Sequence, residues 1–228
     1  MKVAIFSKFK VTEEMENKVK GYGLIYSEKK PEIVISLGGD GTYLMSERMW
    51  PGIPKLIVRQ KSICKKGEVE GLESALEKIS NGKYKIVENI KLETKFRRKK
   101  VVCVNEFSIR NRYATSALRF FVWINDDRTE EVIGDGVVIC TPFGSTGYYQ
   151  SIGGKSFESG IGIGFNNPTK KMKNMVLPED SIIKVKINRG DAVLTADNNP
   201  QVFIMSKGEV LTIKKSEDVA RIVDIIEK

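Results

Sequence analysis

Apolar and polar positions change their pattern near residue 83 of this 228-residue chain. Before that point, short apolar runs alternate with amphipathic stretches that predict helices. The runs predict strands at residues 3–6, 33–37 and 55–59, and the stretches predict helices that begin at Thr12 and cover 42–50 and 69–79. Strands that alternate with helices indicate a parallel sheet, so we expect an α/β domain over residues 1–82.

After residue 83 the pattern is that of an all-β domain. Short apolar runs are separated by turn residues such as Asn125-Asp126-Asp127. The predicted strands cover residues 84–90, 101–110, 117–124, 136–140, 182–187, 192–196 and 210–213. This pattern predicts a β-sandwich domain over residues 83–215. Ser216 to Asp218 favour a helix N-terminus, so we expect a last helix within 216–228, with its apolar part at 219–226, that completes the first domain.

Composition limits the chemistry that the chain can perform. The absence of histidine excludes Ser-His-Asp and Cys-His nucleophiles and histidine-bound metals. Cys64, Cys103 and Cys140 are far apart and odd in number, which argues against disulfides and zinc and favours small core residues. A general base is therefore expected to be a carboxylate. A metal would be bound by oxygen atoms, which favours Mg²⁺.

Hydropathy and charge bear on location and partners. No apolar run approaches the roughly 20 residues that span a bilayer, and the first residues resemble a strand rather than a signal peptide. We therefore expect a cytoplasmic protein without membrane contacts. The net charge of +9 fits either attraction for nucleotides, polyphosphate or nucleic acid, or a solvated basic surface. Aromatic residues do not alternate with the basic ones, so nucleic acid is not an expected partner.

The most informative segment is the loop Gly38-Gly39-Asp40-Gly41-Thr42, which follows the apolar run at 33–37. A buried strand that ends in glycines and a hydroxyl residue presents backbone N–H groups to phosphate, because glycine allows a close approach. Asp40 would repel phosphate, so we expect it to take a proton from a hydroxyl or to hold Mg²⁺. The loop alone predicts phosphoryl transfer to an alcohol.

Two later segments carry residues suited to a nucleoside. Asn105-Glu106 lies beside an apolar run, where the two side chains either satisfy each other in the core or bind a base and hydroxyls. Asp135 stands between two glycines and precedes a Gly-Ser-Thr turn. That turn predicts either a helix N-terminus that holds phosphate or an ordinary capped surface turn. Its segment is Thr141-Pro142-Phe143-Gly144-Ser145-Thr146-Gly147-Tyr148-Tyr149-Gln150-Ser151.

Taken in this order, the three segments resemble the NAD kinase family over about residues 33–200. The resemblance implies an N-terminal α/β domain with a parallel sheet, a C-terminal β-sandwich domain and an active site in the cleft between them. It implies transfer of the γ-phosphoryl group of ATP, or of a phosphoryl group of polyphosphate, to the 2′-hydroxyl of the adenosine ribose of NAD, with Mg²⁺ or another divalent cation. It also implies a homodimer or homotetramer.

The resemblance also implies roles for individual residues. Asp40 would take the hydroxyl proton, and no residue is assigned to a metal. The residues implied to contact the two substrates are Gly38, Gly39, Gly41, Thr42, Asn105, Glu106, Asp135, Thr146, Gly147, Tyr148, Ser151 and Asp197.

The chain departs from the family in several positions. Arg59-Gln60-Lys61-Ser62-Ile63-Cys64 stands where an Asn-x-Gly-x-Leu-Gly-Phe-like segment is usual, and Phe143, Gly147 and Ile133 replace the more usual Thr, Ala and Arg. Two alternative functions stay open. The glycine-rich loop is shared with lipid kinases, so a lipid or sugar kinase is one. A non-catalytic nucleotide- or nucleic-acid-binding protein is the other.

Overall fold

The computed structural model describes residues 1–59 and 71–226, which form two compact units. Unit 1 consists of Met1–Asn89 and Val219–Lys228, and unit 2 consists of Ile90–Asp218. Cys64, most of the departing segment at 59–64 and the predicted helix start at 69 lie outside the described residues. Over the described ranges, none of the helices has the length and apolar character needed to cross a membrane.

Unit 1 has the alternating strands and helices that the sequence predicts. Its strands are β1 (Lys2–Ser7), β2 (Ile25–Tyr26), β3 (Ile33–Leu37), β4 (Lys55–Val58) and the first part of β5 (Tyr84–Phe96). Its helices are α1 (Glu13–Gly21), α2 (Asp40–Met49) and α3 (Leu72–Ser80). The strands lie in the order β4-β3-β1-β2, and every pair in this row is parallel. The predicted α/β fold is therefore confirmed.

Helix α1 begins as its sequence indicates, and a buried contact fixes helix α2 to the sheet. The Thr12 side chain caps α1 by accepting a hydrogen bond from the Met15 N–H at 3.4 Å, and the first turn carries three glutamates that suit the helix dipole. Helix α2 is tied to β4 by a buried ion pair between Glu47 and Lys55. This pair joins the last part of the helix to the first residue of the strand.

Unit 2 is built from antiparallel strands. These are β6 (Lys99–Cys103), β7 (Glu106–Asn111), β8 (Leu118–Ile124), β9 (Asp127–Arg128), β10 (Val132–Gly134), β11 (Gly136–Cys140), β12 (Ile161–Asn166), β13 (Met175–Leu177), β14 (Ile183–Arg189), β15 (Ala192–Ala196), β16 (Phe203–Met205) and the first part of β17 (Val210–Ile225). A short 3₁₀ turn (Phe143–Thr146) and helix α4 (Tyr148–Ser151) follow β11.

The strands of unit 2 form two sheets around one core. One sheet contains the row β10-β8-β14-β17, and the other has the order β13-β12-β11-β7-β15-β16. Apolar side chains from both sheets share one buried cluster, which includes Phe107 and Ile109 of β7 and Phe120 and Val122 of β8. Two sheets packed face to face in this way form the predicted β-sandwich. Cys103 and Cys140 are buried core residues, as expected.

The helix predicted over residues 219–226 is wrong, because residues 219–225 form the last part of β17. Ile222 pairs with Lys55 in parallel, and Ser216 donates its hydroxyl to Glu93 at 2.8 Å instead of capping a helix. The segment is rich in β-branched valine and isoleucine, which favour a strand. Its apolar residues at 219, 222, 223 and 226 follow the spacing of a helix, so the pattern alone favoured the wrong element.

The single strand predicted over residues 101–110 is also wrong, because the chain turns a corner within it. Strand β6 ends at Cys103 and strand β7 begins at Glu106, so Val104 and Asn105 connect two strands of different sheets. The corner contains one of the segments that the sequence marked for ligand binding.

Candidate functional site

In unit 1, the glycine-rich loop lies at the edge where parallel strands end. Strands β3 and β4 both finish there, and this edge is where open α/β sheets bind ligands. The Gly38 N–H donates to the Val58 carbonyl at 2.9 Å, which joins the loop to the end of β4. Gly38 has a φ of +147°, and a Cβ there would lie 2.4 Å from Thr42 Oγ1. Position 38 therefore requires glycine.

The same loop starts helix α2. The Gly39 carbonyl accepts hydrogen bonds from the N–H groups of Thr42 at 2.9 Å and Tyr43 at 3.2 Å. No side chain in the described part of the chain caps this N-terminus. Asp40 is the first helical residue, and its side chain is 61% exposed, so a substrate hydroxyl can approach it. Among the described residues, its carboxylate forms an ion pair with the guanidinium of Arg59 at 3.0 Å.

In unit 2, the corner between β6 and β7 is organised by Asp197. The Asp197 carboxylate accepts backbone hydrogen bonds from Val104 at 2.9 Å, Asn105 at 2.7 Å and Glu106 at 3.2 Å. The Asp197 N–H in turn donates to the Glu106 carbonyl at 3.0 Å. Asp197 itself has a positive φ of 50° at the end of β15. Both of its oxygens are thus used by the backbone that carries Asn105 and Glu106.

Thr141 and Gly144 hold the corner from the opposite side. The Thr141 hydroxyl donates to the Val104 carbonyl at 2.6 Å, and the Thr141 N–H donates to the Asn105 carbonyl at 2.9 Å. Gly144 packs directly on Asn105, because a Cβ at position 144 would lie 2.3 Å from the Asn105 carbonyl oxygen. The Gly-Ser-Thr turn therefore has a structural task, which is to fix the backbone of Asn105.

Three buried side-chain oxygens near this corner have no hydrogen-bond partner among the described residues. They are Asn105 Oδ1, Glu106 Oε2 and Ser108 Oγ. A buried polar atom left without a partner costs about 1–3 kcal/mol, so such atoms are rare unless a ligand or water satisfies them. Asn105 and Glu106 therefore do not satisfy each other fully, and their free oxygens mark a place for hydrogen-bond donors.

The Glu106 carboxyl has a raised pKa. Burial, together with the nearby negative charge of Asp197, raises the pKa of Glu106 from its usual 4.5 to about 7. Burial also raises the pKa of Asp197, against the opposing effect of its three backbone N–H donors. The Glu106 carboxyl can thus exchange its proton near neutral pH, and hydrogen-bond donors from a ligand would favour its charged form.

A polar track follows β7 away from the corner. Glu106 lies opposite Cys140 of β11 and Arg110 lies opposite Gly136, so Glu106, Ser108 and Arg110 share one face. Four residue steps at about 3.4 Å each make this track about 14 Å long. At its far end the Arg110 guanidinium lies 5.8 Å from the centre of the Tyr148 ring.

At the far end of the track, two neighbouring asparagine side chains hold Tyr148 and Asp135. The Tyr148 hydroxyl accepts from the Asn166 side chain at 3.0 Å, and the Asp135 carboxylate accepts from the Asn167 side chain at 2.8 Å. Asn166 and Asn167 adjoin in sequence, so they bring Tyr148 and Asp135 to the same end of β11. The Ser151 hydroxyl donates to the Tyr148 carbonyl at 2.7 Å.

The remaining predicted residues of this segment lie in a turn rather than in a long helix. Thr146 and Gly147 are exposed at the junction of the 3₁₀ turn and α4. Helix α4 has only four residues, so its dipole offers little to a phosphate. Polar side chains, rather than a helix N-terminus, are the binding groups that the structure offers here.

The structure thus groups the predicted residues and adds others. Asn105, Glu106 and Asp197 meet at one end of β7, and Tyr148, Asp135 and Ser151 lie near the other. No individual role was predicted from the sequence for Thr141, Gly144, Ser108, Arg110, Asn166 and Asn167. The alternation of Glu106, Ser108 and Arg110 with apolar residues was a detectable signal, as were the two adjacent asparagines after an apolar strand.

Comparison with known proteins gives a family match in unit 2 and relatives over most of the chain. The family model described as the ATP-NAD kinase C-terminal domain matches residues 104–225. An NAD kinase of Thermoplasma acidophilum is 29% identical over 208 residues, which cover 87% of this chain and 76% of that protein. An NAD kinase of Thermoplasma volcanium is 29% identical over 216 residues, with coverage of 91% and 79%.

Solved structures with the same fold include two kinases of the pyridine nucleotides. An NAD kinase from Archaeoglobus fulgidus, in complex with ATP, has a TM-score of 0.81 at 20% identity and covers 97% of this chain and 93% of that one. Yeast NADH kinase, complexed with NADH, has a TM-score of 0.80 at 17% identity, with coverage of 99% and 83%. These likenesses confirm the predicted fold class.

The raised pKa of Glu106 predicts a pH dependence of stability. The folded protein binds more protons than the unfolded one between pH 4.5 and about 7, so the free energy of unfolding should fall as the pH rises through this window. Glu106→Gln removes the titration, and its stability relative to wild type should rise by on the order of 3 kcal/mol from pH 4 to pH 8. Urea unfolding at several pH values measures this. Parallel stability curves for the two proteins would refute the raised pKa.

The position of Asp197 predicts that Asp197→Asn weakens both the fold and the site. An amide keeps one acceptor oxygen but turns an N–H donor toward a backbone N–H, so unfolding should cost about 2 kcal/mol less. Denaturant unfolding measures this loss. Asp191→Asn, in a partly exposed ion pair with Arg112 of the same unit, is the control and should change little. Equal stability of the two variants would show that the Asp197 bonds do not organise the corner.

Proposed function

The chain belongs to the ATP-NAD kinase family, and we propose that it transfers the γ-phosphoryl group of ATP to the 2′-hydroxyl of the adenosine ribose of NAD. The observation that carries the proposal is the pair of buried oxygens Asn105 Oδ1 and Glu106 Oε2, which have no hydrogen-bond partner in residues 1–59 and 71–226. Ribose hydroxyls and the adenine amino group are the donors that such oxygens lack. Polyphosphate is the alternative phosphoryl donor.

In this proposal unit 2 binds NAD. Glu106 accepts hydrogen bonds from ribose hydroxyls and Asn105 binds the base, while Asp197 acts as a positioning residue that holds both. Asp135 and Tyr148 bind NAD further along the polar track, together with the exposed polar groups of Thr146, Gly147 and Ser151. The domain roles follow the sequence expectation, with donor binding by residues 1–82 and NAD binding by residues 83–215.

The reaction needs little covalent chemistry from the protein. The 2′-hydroxyl oxygen attacks the γ-phosphorus, the bond from that phosphorus to the bridging oxygen breaks, and ADP leaves with the bonding electrons. Asp40 takes the hydroxyl proton, as carboxylates do in other kinases. The loop formed by Gly38, Gly39, Gly41 and Thr42 receives the donor phosphates at the N-terminus of α2, where an anion is favoured.

The residues of the loop fit a Mg²⁺ ion that the donor phosphates carry. Among the described residues, no three acidic, histidine or cysteine side chains are grouped as a metal site. Mg²⁺ commonly binds through substrate phosphates, water and one or two carboxylates, and the loop supplies one carboxylate in Asp40. When bound, the ion neutralises phosphate charge.

A cytoplasmic homodimer or homotetramer is part of the same proposal and rests on the family resemblance.

A lipid or sugar kinase is the alternative that shares the glycine-rich loop. The family match covers residues 104–225, which include the Asn105-Glu106 corner and the Tyr148 segment and exclude that loop. It therefore supports NAD as the acceptor independently of the loop.

A direct assay tests the reaction and the base together. Purified protein is incubated with NAD, Mg²⁺ and either ATP or polyphosphate, and NADP is detected with an NADP-specific dehydrogenase. Asp40→Asn should lower kcat by about 10²–10⁴-fold, since it removes the proton acceptor, and should leave NAD affinity nearly unchanged.

Asp224→Asn is the matched control, because Asp224 is also an exposed carboxylate of unit 1 in an exposed ion pair, with Lys85. It should retain wild-type activity. If wild type forms no NADP with either donor, the proposed function is wrong. If Asp40→Asn keeps wild-type turnover, Asp40 is not the base.

A further inference from the structure

Arg59 is a cation beside the glycine-rich loop, and no functional role was predicted for it from the sequence. It follows directly after β4, and its guanidinium Nη2 lies 3.0 Å from Asp40 Oδ1. The two side chains are 74% and 61% exposed, so the contact lies at the surface of unit 1 and is open to a ligand.

The scaffold of unit 1 brings these residues together. The hydrogen bond from the Gly38 N–H to the Val58 carbonyl joins the loop to the end of β4, one residue before Arg59. The buried pair of Glu47 and Lys55 joins the other ends of α2 and β4. Strand and helix are therefore fixed to each other at both ends, independently of the surface contact between Arg59 and Asp40.

Stability does not account for the contact. An ion pair between exposed side chains contributes little to the free energy of unfolding. The guanidinium offers five N–H donors in a planar fork, and among the described residues Asp40 is its one hydrogen-bond partner. Most of the fork is thus available for a second anion, and phosphate is the anion that it fits in a bidentate manner.

Charge gives the second reason. The glycine-rich loop carries the carboxylate of Asp40 at the place where the phosphates of the donor would bind. The carboxylate and the phosphates repel each other. A guanidinium 3.0 Å from that carboxylate offsets the repulsion. The segment that begins at Arg59 departs from the family's usual one, so this chain supplies a positive charge where the resemblance implies an asparagine.

We propose that Arg59 binds the terminal phosphate of the phosphoryl donor and stabilises the transferred group. The inference rests on the proposed function, because it names a further catalytic residue for the same reaction. During transfer, the γ-phosphoryl oxygens stay on the guanidinium while the bond to the leaving ADP breaks and the bond to the acceptor oxygen forms. Asp40 takes the acceptor's proton, and Arg59 remains charged throughout.

Binding of the donor, measured without NAD, tests the contact directly. The Mg²⁺ complex of a non-hydrolysable ATP analogue and inorganic tripolyphosphate are titrated into the protein by calorimetry. Arg59→Gln should weaken the binding of at least one of them by about tenfold or more. Arg59→Lys should recover part of the loss, because it keeps the charge and loses the fork. Lys85→Gln removes a cation from another exposed ion pair of unit 1 and should stay within about twofold of wild type.

The same titration in an Asp40→Asn background separates direct binding from action through Asp40. If Arg59 touches phosphate, Arg59→Gln should weaken binding by a similar factor in both backgrounds. If the loss vanishes once Asp40 is neutral, Arg59 acts only on that carboxylate and the proposal is overturned. Unchanged or tighter donor binding by Arg59→Gln in the wild-type background would also overturn it, since the pair would then be a block on the loop.

The outcome is distinguishable from failure of the proposed function. A wild-type protein that binds the donor but forms no NADP would refute NAD as the acceptor and leave the role of Arg59 to be decided by the titrations. A wild-type protein that binds neither donor probe would refute Arg59 as a donor-binding residue.

Discussion

The buried carboxylate of Asp197 is the interaction on which the proposed NAD site depends. It accepts three consecutive backbone N–H groups from Val104 to Glu106 and thereby makes the chain turn from one sheet of unit 2 to the other. A carboxylate buried in a protein is costly unless hydrogen bonds compensate, and backbone donors provide that compensation here. The corner that results exposes neither Asn105 nor Glu106 fully to water, yet an oxygen of each lacks a donor within the described part of the chain.

The same arrangement sets the electrostatics of the site. Burial raises the pKa of Glu106, and the nearby negative charge of Asp197 adds to this effect, so the pKa reaches about 7. A ligand that donates hydrogen bonds to Glu106 would favour its charged form. The Asp197 bonds thus position Glu106, while burial and the charge of Asp197 raise the free energy of its ionised state. Hydroxyl donors from a ribose would lower that free energy.

Much of the fold could be predicted from the sequence because the signals were local. The run from Ile33 to Leu37 and the glycines after it specify a strand and a tight loop by residue type alone. The corner at Asn105 could not be predicted, because Asp197 creates it from 92 residues away. The strand at 219–225 could not be recognised from the sequence, because its pairing with β4 depends on contacts far along the chain. The sequence showed only that the segment beginning at Arg59 departs from the family pattern. The fold was needed to place Arg59 beside Asp40.

The central claim is that the free oxygens of the Asn105-Glu106 corner bind the hydroxyl and amino donors of NAD. Calorimetric titration of NAD at pH 7, repeated in buffers with different ionisation enthalpies, counts the protons that binding moves. Wild type should release a fraction of a proton as donors from NAD shift Glu106 to its charged form, and Glu106→Gln should bind more weakly and release none. Proton release that is absent in wild type, or equal in the variant with unchanged affinity, would contradict the account.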